Sequence, residues 1–144
     1  MKTAKCMCGA VALTIRDLRA DYGTCHCEMC RRWTGSALLG ITVPEGDLTI
    51  TGGGHVKRFQ SSDWAERAWG DRCGSGLWYR VTLDGPHAGA YEIPIGLLDD
   101  ANGLDMTREI FIDVKPDAYT FAGEREQITR ADVLAMYGAP AQGA

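Results

Sequence analysis

The chain has 144 residues, 45% hydrophobic and 24% charged, with a formal net charge of −4. This is the size and balance of one soluble globular domain, able to bury roughly two-thirds of its unfolded surface and not dependent on metal merely to fold. Lys5, Arg31, Arg32, Lys57 and Arg58 are scattered among carboxylates, which excludes the basic footprint of a nucleic-acid binder. No apolar run approaches the ~18 residues of a membrane span.

The stretch Met1-Lys2-Thr3-Ala4-Lys5-Cys6 lacks the apolar region of a secretory signal, so the sequence reads as cytoplasmic. In a reducing compartment clustered cysteines favour metal over disulfides, although an even count keeps disulfides as the alternative. Along the chain, Ala10–Ile15 alternates Val11, Leu13 and Ile15 on one face. The runs 37–43, 48–51, 56–60, 65–69, 77–83 and 91–97 follow, punctuated by Gly, Pro and Asp. Strand-length runs about ten residues apart predict an antiparallel, mainly β domain. Pro44-Glu45-Gly46-Asp47 reads as a turn and Gly52-Gly53-Gly54 as a hairpin connection. One late helix is expected, with Thr129 as N-cap, Asp132 in the first turn, a stripe of Val133, Leu134 and Tyr137, and Gly138 as its stop. The domain thus spans residues 1–138, followed by a frayed tail, 139–144.

Six cysteines fall in three clusters: Cys6-Met7-Cys8-Gly9, Cys25-His26-Cys27-Glu28-Met29-Cys30 and Cys73-Gly74-Ser75. Closely spaced thiolates suit a soft divalent ion, zinc by default, with four ligands at ~2.3 Å. In the second cluster, Cys27 and Cys30 can share one helical or knuckle turn while Cys25 reaches in from a preceding strand. Spacing leaves two readings open. One is a closed structural site with a fourth ligand from Cys73, His26, His55, His87 or a carboxylate. The other is a three-sulfur site whose open position admits substrate. Three thiolates on Zn²⁺ leave a charge near −1, better suited to holding a thiol as thiolate than to activating water. His26, between two ligands, is expected to point away from the metal. The first and third clusters fit together, but a knuckle would need a cysteine three residues before Cys73, where Gly70 stands.

The segments Cys6-x-Cys8-Gly9-Ala10-Val11, Cys25-His26-Cys27-x-x-Cys30-Arg31-Arg32, Gly35-Ser36, Arg58-Phe59-Gln60-Ser61-Ser62, Arg67, Cys73-Gly74-Ser75 and Gly96-x-Leu98-Asp99 resemble, in order, the glutathione-dependent formaldehyde-activating enzymes, grouped with centromere protein V. The resemblance implies a zinc-bearing β-tent fold with one C-terminal helix and two zinc sites. Cys25, Cys27 and Cys30 would hold the catalytic ion, and Cys6, Cys8 and Cys73 the structural one. The family's fourth structural cysteine falls on Gly70, so that site is expected to be weakened or empty unless Asp71 or water completes it.

The implied activity is that of a carbon–sulfur lyase, making or cleaving an S-hydroxymethylglutathione-like adduct of glutathione and formaldehyde without a redox cofactor. Arg31 and Arg32 would then receive glutathione carboxylates, since guanidinium binds carboxylate bidentately. Their alternative is pairing with surface acids. As general acids or bases near the metal the sequence offers only His26, Glu28 and Asp63. Two other classes remain open: a non-catalytic thiol-binding module using the same zinc, and a zinc-stabilised interaction scaffold.

Overall fold

Most of the period-two runs become strands. The structure is a computed structural model that describes residues 1–137; the expected stop at Gly138 and the tail 139–144 lie outside the described residues. The chain forms β1 (Lys2–Lys5), β2 (Ala12–Ile15), β3 (Asp21–Cys25), helix α1 (Glu28–Thr34), β4 (Leu38–Val43), β5 (Leu48–Thr51) and β6 (Val56–Gln60). It continues with β7 (Ala65–Gly70), β8 (Gly76–Val81), β9 (Tyr91–Pro94), β10 (Asp105–Ile110), β11 (Glu126–Ile128) and helix α2 (Arg130–Tyr137). The protein is mainly β, as expected.

A three-stranded sheet, β1-β2-β5, faces an eight-stranded one ordered β11-β10-β3-β4-β9-β8-β7-β6. One core joins the two: Leu13 and Ile15 from β2 meet Ile41, Leu77, Trp78 and Ile93 from the large sheet, all essentially inaccessible. Each such side chain contributes about 1.5–3 kcal/mol of burial. Two expectations are corrected. The large sheet is mixed, because β10 runs parallel to both β3 and β11. The Gly52–Gly54 connection is not a hairpin: β5 pairs with β2 and β6 with β7, so this turn carries the chain between sheets. Gly52 has φ +81, and a Cβ there would sit 1.9 Å from the Ala10 carbonyl oxygen, so no other residue fits this close approach.

The late helix starts as predicted, with the Asp132 N–H donating to Thr129 Oγ1 at 3.3 Å. Val133 is buried, whereas Leu134 is only partly covered and Tyr137 is exposed. The helix packs beside Cys25, Cys27, Cys30, Leu38, Phe111 and Ile128 in a second, smaller core. That core is where the second cysteine cluster sits.

Candidate functional site

Residues 25–30 take the geometry their spacing allows. Cys25 ends β3, Cys27 is the N-cap of α1, and Cys30 lies in its first turn. Cys27 Sγ accepts the Cys30 N–H at 3.3 Å, so a sulfur does the capping work usually left to Ser or Asp. The helix stops at Gly35, φ +84, whose N–H donates to Arg31 O at 2.9 Å. The three Sγ atoms lie within 4.8 Å of one another, and all three residues are buried.

Arg67 of β7, only 3% exposed, reaches this triad from farther along the same eight-stranded sheet. Its Nη1 and Nη2 donate to Cys30 Sγ at 3.6 and 3.7 Å, and its Nε donates to Ser61 Oγ at 3.1 Å. The guanidinium also lies 5.1 Å from the ring centres of both Trp33 and Tyr79. The electrostatics favour one thiolate. Cys27 is pulled far down by hydrogen bonds from Cys25 and Cys30, helped by the Cys30 N–H and the Arg67 charge. Cys25 is pushed up by its hydrogen bonds to Cys27 and Cys30 and by burial. Cys30 is drawn down by Cys25 but ends at about 12, because its bond to Cys27, burial and the Cys27 charge outweigh that. Thiolate character in the triad thus concentrates on Cys27, with the Arg67 charge beside it.

His26 points away from the sulfurs, as expected, but it is buried. Its Nε2 lies 2.8 Å from Glu109 Oε1, and Arg125 donates to Glu109 Oε2 at 2.9 Å. Tyr119 and Phe121 stack beside the ring at 6.0 and 6.1 Å. The His26 N–H donates to Ile110 O at 3.1 Å. This network fixes the turn that aims Cys25 and Cys27. Glu28 is held by Arg130 at 2.6 Å.

The first and third clusters do meet. Cys6, Cys8 and Cys73 form a second group with all Sγ atoms within 4.8 Å, ranging from buried Cys6 to exposed Cys8. Cys6 Sγ and Cys8 Sγ are 3.7 Å apart, matching the ~3.8 Å edge of a tetrahedron with ~2.3 Å Zn–S bonds. By donor type and spacing both triads fit a thiophilic cation. Ser75 Oγ accepts from the Met7 N–H at 2.9 Å and from Cys73 Sγ at 3.4 Å. That hydroxyl, then the Ser75 and Cys8 N–H groups, draw Cys73 down to about 6. A Cβ on Gly70 would stand 3.5 Å from Cys73 Sγ, so position 70 faces the triad but offers no ligand. Asp71 does not replace it: its Oδ1 is turned to His55 Nδ1 at 3.1 Å.

A cleft of about 380 Å³ opens over the second triad. Cys25 and Cys30 lie in its lining, with walls from Leu38, Trp64, Tyr79, Val81, Ile110 and Phe111, and α2 contributing Val133 and Tyr137. Among the described residues its charged lining is Asp84, Glu92 and Arg108, with His87 beside Pro86. Glu92 Oε1 accepts from Thr42 Oγ1 at 2.6 Å, and burial pushes its carboxyl above the usual range. Arg31 and Arg32, in the last turn of α1, are not among the residues lining the cleft, nor are His26, Glu28 and Asp63. Glu92 and Arg108 escaped sequence reasoning because their strands are brought beside β3 and β4 only by the fold.

The family model described as glutathione-dependent formaldehyde-activating enzyme matches residues 1–114. A protein of Schizosaccharomyces pombe described as an uncharacterized lyase is 28% identical over 129 residues, covering 90% of this chain and 91% of that protein. A crystal structure of a Rhodobacter sphaeroides protein superposes with a TM-score of 0.58 at 24% identity, covering 70% of this chain and 91% of that one. That last likeness concerns the fold alone.

Proposed function

The chain belongs to the glutathione-dependent formaldehyde-activating enzyme family, and we propose that it is a carbon–sulfur lyase that makes or cleaves a thiol–aldehyde adduct of the S-hydroxymethylglutathione kind. The observation that carries this reading is that Cys25 and Cys30 line the cleft while Cys27, the third member of their triad, is fully buried in the second core. Zinc held by Cys25, Cys27 and Cys30 would supply a soft position at which a substrate thiol is kept deprotonated near neutral pH. Cys6, Cys8 and Cys73 would hold a second ion, weakly, for want of a ligand at Gly70.

The chain's own residues do the rest. Arg67 offsets the negative charge of the triad, and Trp64, Leu38 and Phe111 exclude water from the reacting carbon. In the synthetic direction the thiolate sulfur forms a bond to the carbonyl carbon, and the carbonyl oxygen must gain a proton. Glu92 is a carboxyl lining the cleft that burial inclines to its protonated form, which supports it as the donor of that proton. In cleavage the same carboxylate takes the hydroxyl proton back as the carbon–sulfur bond breaks. Arg31 and Arg32 remain proposed contacts for substrate carboxylates that reach beyond the cleft.

The reading predicts that zinc-loaded protein accelerates adduct formation between formaldehyde and a thiol above the spontaneous rate, and that Cys27→Ser abolishes this. No acceleration with any thiol at substantial protein concentration would overturn it and leave a thiol-binding module.

A further inference from the structure

The walls of the cleft are at odds with a doubly charged guest. Glutathione brings two carboxylates and an ammonium, and each anion removed from water needs a cation or several donors. Among the described residues, the lining offers one permanent cation, Arg108, against two acids, Asp84 and Glu92, and a second carboxylate would have to leave the cleft to reach Arg31 or Arg32. The rest of the lining is largely aromatic or aliphatic, and the rim adds exposed Leu83 and Tyr137.

Arg108 is itself unusual. It rises from β10 across Gly23 of β3, and a Cβ on Gly23 would come within 2.9 Å of its Cζ. The bare glycine therefore makes room for the guanidinium beside the triad-bearing strand. Asp21 and Glu92 feel its charge. Yet none of its guanidinium nitrogens takes part in a hydrogen bond or ion pair with another described residue. Glu92 is engaged instead by Thr42. An arginine left with its fork open toward an apolar cleft is a receptor for one carboxylate.

We propose that the adduct this cleft accepts has an apolar body ending in a single carboxylate seated on Arg108, rather than the doubly carboxylated body of glutathione. This rests on reading the site as one that handles thiol adducts, and it specifies which thiol. The sulfur end lies toward Cys25 and Cys30, the hydrocarbon lies along Tyr79, Ile110 and Phe111, and the carboxylate closes the fork of Arg108.

The test is calorimetric titration of zinc-loaded protein with 6-mercaptohexanoate, 6-mercaptohexan-1-ol and glutathione, repeated on Arg108→Gln. The expected order places 6-mercaptohexanoate at least about tenfold tighter than either other thiol, a typical return for one charge-assisted bidentate contact. Arg108→Gln should erase that advantage and leave 6-mercaptohexan-1-ol within about twofold of wild type. Should the variant fail to fold, the wild-type order of acid over alcohol still decides. Glutathione binding as tightly as 6-mercaptohexanoate would overturn the inference and leave the thiol-adduct reading standing. No binding by any of the three would overturn both.

Discussion

Arg67→Met separates the charge at the triad from its shape. Methionine keeps much of the apolar stem between Trp33 and Tyr79 and removes the cation. In wild type, two guanidinium nitrogens stand 3.6 and 3.7 Å from Cys30 Sγ in a fully buried setting. Unit charges about 4 Å apart at an effective dielectric near 20 interact by about 4 kcal/mol. Around Zn²⁺ the three thiolates keep a net charge near −1, whereas the metal-free triad can shed its charge by taking up a proton once the cation is gone, so the loss falls on the loaded state. There it leaves a buried anion uncompensated, a situation that costs about 3–5 kcal/mol. Zinc retention should fall by roughly 10²–10³-fold, each ~1.4 kcal/mol being a factor of ten. The assay is competition with a colorimetric chelator in a Cys8→Ser background, which weakens the exposed triad so that one class of ion is read. Arg67→Lys, retaining charge but not the flat stack, should recover most of the loss. If Arg67→Met stays folded and holds zinc within about threefold of its parent, charge compensation is not what Arg67 supplies.

Other consequences are as direct. Gly70→Cys should give the first triad its missing ligand, raising retention of a second zinc on the order of tenfold or more in native mass spectrometry; an unchanged metal count would refute the geometry. Gly52→Ala forces a Cβ into the Ala10 carbonyl at positive φ and should cost more than about 3 kcal/mol, a melting-temperature drop of roughly 6–12 °C. A drop of one or two degrees would show that the turn can relax. Glu109 is raised by burial, but its hydrogen bonds to His26 and Arg125 more than reverse this and hold it below its ordinary 4.5. Its contribution is full above that value and disappears as pH falls through the lower folded one. Glu109→Gln should therefore lose about 1.5–3 kcal/mol at pH 7, with the gap to wild type closing in urea melts below about pH 4. A gap independent of pH would mean that the carboxylate charge is not what matters.

Legibility in the sequence followed the hydrophobic pattern. β5 and β6 appear with the bounds that alternation suggests, and β2, β4, β7, β8 and β9 differ only at their ends. The strands that escaped are those whose residues argue against strand. β1 buries only Ala4, β3 contains Asp21 and a glycine kept bare for Arg108, and β10 hides a glutamate where a hydrophobic residue would be expected. The parallel pairing of β10 leaves no local signature: β3 lies far upstream, and β11, the next strand, is reached only across residues 111–125. The triad of Cys25, Cys27 and Cys30 was visible because its spacing is local, whereas Cys73 was joined to Cys6 and Cys8 through the family resemblance. Arg67 appeared as a candidate without a role, and Arg108 and Glu92 did not appear, because only sheet order brings residues 23, 40, 92 and 108 into one wall.

The parallel seam between β3 and β10 also sets a clock. Cys25, Cys27 and Cys30 leave the ribosome within one short stretch, yet Glu109, which locks His26, follows 83 positions later. At ~5–20 residues per second that is a wait of roughly 4–17 s. Throughout it the ligand-bearing turn lacks the strand that will cover it, and long-range pairing of this kind is slow to form even once the chain is complete. The nascent triad is a naked reducing cluster, open to oxidation or to whichever soft ion arrives first. Zinc present during growth is therefore expected to raise the yield of correctly loaded protein more than the same zinc added after lysis, which metal analysis of the two preparations would reveal.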